Sequence, residues 1–144
     1  MEKIMQEKIS ADHLLYVSLK YTKTTDVMLN LLARWKNLIE ESIDKILDKN
    51  KKLKKVKSIP SAPKIKVEII KELYKKDPAI LQVITLYEFF KNVDAAQKIR
   101  ENEFRKNVVL RIFDRGKWVD IDMDKLKEYN EILERFISTL RQII

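Results

Sequence analysis

The sequence predicts an all-α protein, an antiparallel up-down helical bundle with one small β-hairpin before the C-terminal helix. Three observations favour this fold. Apolar residues recur at helical spacing over most of the chain. The spacing changes to an alternation of two only after Asn107, where the single glycine also lies. With 144 residues and no cysteine, the chain has the length of one domain that needs no disulfide, so we expect a single domain over residues 1–144.

The first two helices follow from their apolar stripes. Ser10 is a suitable N-cap for a helix from about residue 10 to about residue 22. A second helix carries one stripe from Met28 to Leu47, and Trp35 at its centre is expected in the core or in a dimer seam. Threonines and an aspartate at residues 22–26 indicate a break between them. Positions 14, 21, 28 and 35 nevertheless keep a seven-residue phase, so a single helix of about 40 residues that favours dimerisation is the alternative.

A lysine-rich connector is expected over about residues 49–64, because its prolines cannot continue a helix. A short helix should follow it, with a buried face made of Ile65, Ile69, Ile70 and Leu73.

A strong core helix is predicted next, since Asp77-Pro78 combines an N-cap with proline at the first helical position. Its aromatic residues are expected in the core. The helix runs to about Asn107 or restarts near Asp94, and in either case Ile99 and Phe104 would lie on its buried face.

The hairpin prediction depends on the segment from Val108 to Asp122. Two extended runs flank Gly116, which would supply the positive φ of a bulged turn. An isolated hairpin is marginal in water, so we expect it to pack on the bundle through Trp118 and its neighbours. Asp122 then caps the closing helix, whose apolar stripe continues to Leu140.

Positive charge is concentrated in one quarter of the chain. Between Lys45 and Lys76 there are twelve lysines and three carboxylates, so this segment carries a net charge of +9. The whole chain carries a formal +8, so the remainder carries −1. Such a surplus suits contacts with phosphates, although a solvated, lysine-rich linker is the more common explanation of such a run. Without arginine, binding here would be weakly specific and salt-sensitive. The candidate nucleic-acid contacts are Lys51, Lys52, Lys54, Lys55 and Lys57.

Several chemistries are disfavoured by composition. The chain has no cysteine and one histidine, His13, which we expect to be an ordinary surface residue. Asp120, Asp122 and Asp124 imitate the start of a calcium loop, but Lys125 stands where the loop needs glycine. We therefore expect no metal and no cofactor. One glycine is too few for a phosphate-cradling loop.

Targeting features and residue usage point to the cytoplasm. No apolar run is long enough for a membrane span, and the first dozen residues lack the apolar region of a secretory signal. We expect no membrane partner. Abundant lysine, glutamate and isoleucine with a single glycine also resemble thermophile usage.

The stretch from Glu103 to Arg111, with the sequence EFRKNVVLR, resembles a ribonuclease motif that has lost its histidine. In layout and in this motif the chain looks like a divergent HEPN (higher eukaryotes and prokaryotes nucleotide-binding) domain. Arg105 and Asn107 match functional positions, with Asn107 one place late, whereas Leu110 and Arg111 stand where the family has its histidine.

The resemblance implies a homodimer and a link to RNA or nucleotides, with Arg105, Asn107 and Arg111 as candidate contacts. The missing histidine would serve acid–base chemistry, which arginine performs poorly because it stays protonated near neutral pH. The sequence therefore predicts a non-catalytic module that binds RNA or a partner protein. The alternatives are a metal-independent ribonuclease using Arg105 with Asn107 or Tyr129, and a structural or antitoxin-like interaction domain.

Overall fold

A computed structural model describes all of residues 1–144 and shows a mostly helical chain with a three-stranded antiparallel sheet before the last helix. This confirms the mostly helical fold, while the up-down order of the helices stays a prediction. The helices are α1 (Glu2–His13), α2 (Leu19–Tyr21), α3 (Thr25–Lys52), α4 (Pro63–Leu73), α5 (Pro78–Asn92) and α6 (Met123–Ile143), and the strands are β1 (Lys98–Glu101), β2 (Val109–Asp114) and β3 (Lys117–Ile121).

The first helix begins eight residues earlier than its predicted start at Ser10. Helix α1, a π-helical turn over Leu14–Ser18 and α2 follow one another without a break. The N-terminal part escaped the sequence prediction because Lys8 interrupts its apolar face. The Lys8 side chain is nevertheless buried, since its ammonium pairs with Asp12 and Glu134.

The break before α3 is confirmed, so the single helix of about 40 residues is not formed. The chain leaves helical geometry after Tyr21 and re-enters it at Thr25. The hydroxyl of Thr24 caps α3 by accepting a hydrogen bond from the Val27 N–H at 3.3 Å. Trp35 is fully buried, as predicted, and stacks on Phe90 with ring centroids 6.0 Å apart.

The connector is shorter than predicted, because α3 continues to Lys52 and α4 already begins at Pro63. Pro63 occupies the first helical turn, where a missing N–H costs nothing. Lys54 ends α3 in the left-handed region with φ 61°, and the Lys55 N–H donates to the Asn50 carbonyl at 2.9 Å.

The predicted buried face of α4 is partly wrong. Ile65 is 53% exposed, whereas Val67 and Ile70 are buried against α3 and α5. Asp77 caps α5 as predicted, since its carboxylate accepts from the Ile80 N–H at 3.3 Å.

Helix α5 ends at Asn92, and neither helical alternative for residues 94–107 is correct. This segment contains β1, which pairs antiparallel with β2 so that Ile99 lies opposite Arg111. Ile99 is 40% exposed and Phe104 is 74% exposed, so neither belongs to a buried helix face. Pairing between distant residues overrides the local helical spacing here.

The hairpin of β2 and β3 is confirmed, but its turn differs from the predicted bulge. Asp114 lies opposite Lys117, which leaves a two-residue turn of Arg115 and Gly116. Both turn residues have positive φ, 51° and 81°, as a type I′ turn requires. Trp118 is 45% exposed, so the prediction that it leans on the bundle is wrong. The buried side chains of the sheet are Leu110, Ile112 and Ile121 instead.

Candidate nucleic-acid interface

The predicted contact residues fall into two groups at opposite ends of α3. The five lysines lie on its last turn and in the loop that follows, whereas Arg105 and Asn107 lie in a loop beside its first turn. A helix of 28 residues is about 42 Å long. These residues therefore do not form one compact site.

The first group, Lys51, Lys52, Lys54, Lys55 and Lys57, is called the lysine end here. All five residues are exposed and none forms an ion pair. Lysines further along are neutralised instead: Lys66 by Asp44 at 2.7 Å and Lys71 by Glu88 at 2.8 Å. The unpaired carbonyls at the C-terminus of α3 attract nearby cations, but several lysines share this attraction. The lysine end is thus the longest run of exposed lysines without an ion pair in the basic segment, although Lys45, Lys49, Lys64 and Lys76 also form none.

The second group lies in residues 102–108, called the arginine loop here, which joins β1 to β2. Two hydrogen bonds fix this loop to the start of α3. The Glu103 carboxylate accepts from the Thr25 N–H at 2.8 Å, and the Phe104 N–H donates to the Lys23 carbonyl at 2.7 Å. Glu103 therefore caps a helix that is distant from it in sequence. One side-chain bond and one backbone bond therefore hold the loop in place, and the side chains of residues 104–107 remain exposed.

Phe104 has an unusual conformation for a bulky residue. Its φ is 66°, in the left-handed region, and its side chain is 74% exposed. Such a conformation costs on the order of 1–3 kcal/mol and persists only where the surroundings impose it. Here the hydrogen bond of Phe104 to Lys23 helps to impose it.

Arg105 and Asn107 are both exposed on the arginine loop. The Arg105 guanidinium forms no ion pair, because the neighbouring carboxylates are otherwise engaged: Glu101 accepts from Arg111 and Glu103 accepts from Thr25. Asn107 contributes its backbone carbonyl to a hydrogen bond from Asn102 at 3.2 Å. The guanidinium of Arg105 is therefore available to a phosphate or carboxylate group.

Arg111 is in a different position from the other two candidates. It lies in the middle strand, where its Nη1 is 3.0 Å from the Glu101 carboxylate and its Nε is 3.3 Å from that of Asp120. Both carboxylates are cross-strand neighbours on the same face of the sheet. A phosphate would have to compete with them for this guanidinium.

The outer face of the sheet was missed as a candidate surface. Side chains alternate along β2, so Arg111 and Phe113 share the face that points away from the bundle. Trp118 lies directly opposite Phe113, and their rings meet edge to face with centroids 5.2 Å apart. The alternation itself was the available signal, because a charged Arg111 on one face predicts that Phe113 is also exposed.

Tyr129 is not brought near the arginine loop. It lines a groove of about 380 Å³ between α5, α6 and the hairpin turn, together with Phe89 and Arg115. Burial raises the pKa of the Tyr129 hydroxyl to about 12. The groove touches β2 at Asp114, whereas the arginine loop precedes Val109 at the other end of the strand, about 17 Å away.

The chain presents no group of three or more histidine, cysteine, aspartate or glutamate side chains that could hold a metal ion. His13 is exposed, and its Nδ1 lies 3.5 Å from the Ser18 hydroxyl.

None of the helices has the length and apolarity that a membrane span would need.

No protein family, curated protein or solved structure matches the chain.

Proposed function

We propose that this protein is a non-catalytic RNA-binding module that resembles the HEPN family. The observation that carries the proposal is the lysine end, where five exposed lysines stand together without a carboxylate partner. Lysine ammonium groups bind phosphates as point charges, so binding would depend little on base sequence. The unpaired guanidinium of Arg105, at the other end of α3, supplies a separate phosphate contact.

Counterion release gives the proposal a quantitative consequence. Each phosphate neutralised on a single strand contributes about −0.7 to the slope of log affinity against log salt concentration. Engagement of all five lysines therefore predicts a slope of about −3.5. A solvated lysine linker would give no measurable binding at physiological salt.

Binding without cleavage is supported by the groups around Arg105. The side chains of the arginine loop include no imidazole, and the only histidine lies in α1. A guanidinium remains protonated and transfers no proton near neutral pH. Tyr129, the other candidate, lies at the far end of the sheet with its pKa raised away from neutrality.

The proposal is tested by measuring RNA affinity as a function of salt in two variants of equal net charge. One replaces Lys52, Lys55 and Lys57 with glutamine, and the other replaces Lys36, Lys91 and Lys127, which lie elsewhere and form no ion pairs. We expect the first variant to lose about two units of salt slope, three contacts at about 0.7 each, and the second to behave like the wild type.

Equal losses in both variants, or no binding at low salt, would contradict the proposal. The same RNA is analysed for cleavage beside an Arg105→Ala variant, because cleavage that disappears in this variant would favour the ribonuclease. Homodimer formation, a protein partner and the cytoplasmic location stay predictions.

A further inference from the structure

The phenylalanine and tryptophan side chains divide sharply between two parts of the molecule. The phenylalanine and tryptophan residues of the helices are all buried, and they are Trp35, Phe89, Phe90 and Phe136. In the segment of residues 98–121, which forms the sheet, the three such residues are all exposed, namely Phe104, Phe113 and Trp118. Burying a phenylalanine or tryptophan is strongly favourable, so three exposed rings in one segment call for a functional explanation.

The two rings on the sheet face are not needed for packing. Leu110, Ile112 and Ile121 point the other way and are fully buried in the common core. Phe113 and Trp118 occupy opposite positions on β2 and β3, so they form one continuous aromatic patch. Such a patch on a strand pair is a platform on which flat apolar groups can stack.

The surroundings of this patch are positively charged. Residues 98–121 contain seven arginines and lysines and four carboxylates. Two further carboxylates from the helices, Asp26 and Glu88, pair with Arg100 and Arg115, so a surplus of one positive charge remains. The carboxylates of Glu101 and Asp120 are held by Arg111, whereas Arg105 and Lys106 are exposed on the arginine loop and form no ion pair. Four residues of β2, about 13 Å, separate the end of this loop from Phe113. An extended strand of nucleic acid can therefore contact the rings and these cations at the same time.

We propose that the outer face of the sheet binds single-stranded nucleic acid, with unpaired bases stacked on Phe113 and Trp118 and phosphates held by Arg105 and Lys106 of the arginine loop. This rests on the proposed RNA-binding function and defines its ligand as an unpaired strand. The bases of a duplex are stacked on each other and offer no free face, whereas those of a single strand do.

A second copy of the chain is a poorer fit to this face. Each copy would bring the same unpaired cations, Arg105 and Lys106, and like charges in contact oppose association. A phosphate backbone is complementary to these charges, and bases are complementary to the rings.

The test compares a labelled uridine 12-mer with a 12-base-pair RNA duplex, using wild type and a Phe113→Ala, Trp118→Ala double variant. Stacking on two rings predicts that the variant binds the single strand about tenfold or more weakly. Its duplex binding should stay within about twofold, because the lysine end is intact. A matched control replaces Ile9 and Tyr21, which are exposed on the N-terminal helices, with alanine and should bind both RNAs normally.

A second variant guards against a folding defect. Phe113→Tyr with Trp118→Phe keeps both rings and should retain single-strand affinity, while unfolding curves check that all variants fold.

Unchanged single-strand binding in the alanine variant, or equal losses for both RNAs, overturns the inference and leaves the proposed function standing. If the wild type binds neither RNA at low salt, the proposed function fails together with the inference. A wild type that sediments as a dimer and an alanine variant that sediments as a monomer would assign the face to a second copy.

Discussion

The phenylalanine and tryptophan side chains are buried in the helices and exposed in the sheet. In the helices, Trp35, Phe89 and Phe90 meet Tyr129 in a fully packed cluster. In the sheet, Phe113 and Trp118 meet each other on a face that points to solvent. The same residue types thus stabilise the fold in one region and remain exposed in the other. An aromatic residue in a sequence therefore predicts a buried position only when the face of the helix or strand on which it lies is known.

The difference has a simple geometric cause. Helices α1, α3, α5 and α6 surround a shared core, so each of them buries one stripe. The three strands cover this core with one face only, and no element of the chain covers the other. Antiparallel sheets tolerate this arrangement, since one of their faces commonly meets solvent.

The largest expected effect is a difference in stability between alanine variants of the two tryptophans. Trp35→Ala leaves a large cavity in the core and should lower the free energy of unfolding by about 3–5 kcal/mol. Trp118→Ala removes a half-exposed side chain and should lower it by less than about 1 kcal/mol. Urea unfolding of both variants measures these values. Similar losses of unfolding free energy in both variants would contradict this contrast, because they would show that the outer sheet face contributes to stability as much as the core does.

A smaller effect is expected where the arginine loop caps α3. Glu103→Ala removes the acceptor of the Thr25 N–H, and lost helix caps cost about 0.5–2 kcal/mol. Thermal unfolding should show the lower stability. Glu131→Ala, on the exposed side of α6 and without an ion pair, is the matched control and should be nearly neutral. A neutral Glu103→Ala variant would mean that this cap adds nothing to stability and that the other contacts of the loop hold it against α3.

The smallest effect concerns Glu88, which joins the hairpin turn to α4. A hydrogen bond from Lys71, supported by Arg115, lowers the pKa of Glu88 below its ordinary 4.5 despite partial burial. The ionised form is favoured in the native state, so its contribution to stability is present above pH 4.5 and is lost as the pH falls through the lowered pKa. Glu88→Gln should therefore be less stable than wild type at pH 7, and the two should converge in acid. Parallel stability curves from pH 7 to pH 3 would contradict this.

The elements with explicit start and stop signals could be predicted from the sequence. Asp77 and Asp122 cap their helices with hydrogen bonds of 3.3 Å and 2.8 Å, and Gly116 lies in the hairpin turn. These signals act within three or four residues, so no tertiary information is needed to recognise them. The buried position of Trp35 followed similarly from an uninterrupted stripe.

What depends on distant partners could not be predicted. β1 forms because Arg100 lies opposite Leu110 and Glu101 opposite Val109, pairings that no local pattern specifies. Lys8 is buried because Glu134, at the other end of the chain, pairs with it. The local spacing of apolar residues favours a helix where β1 forms, and it suggests that no helix continues through Lys8. In both segments the contact with a distant residue determines the structure instead.

The candidate site shows the same division. Exposure of the lysine end followed from its charge, because unpaired lysines are rarely buried. Arg105 is separated from these lysines by the length of α3. This separation could not be predicted without knowing which end of the helix the arginine loop contacts. The exposure of Phe113 was predictable from its alternation with Arg111, but its contact with Trp118 depends on the strand register, which places the two residues opposite each other.

The central claim is that the exposed rings of the sheet meet unpaired bases, and the fluorescence of Trp118 tests it most directly. Trp35 is fully buried, so a ligand on the sheet reaches only the other tryptophan. Titrating the protein with a uridine oligonucleotide should quench tryptophan emission saturably in the wild type and leave the Trp118→Phe variant unquenched. Binding of the oligonucleotide without quenching, or equal quenching in both proteins, would contradict the account.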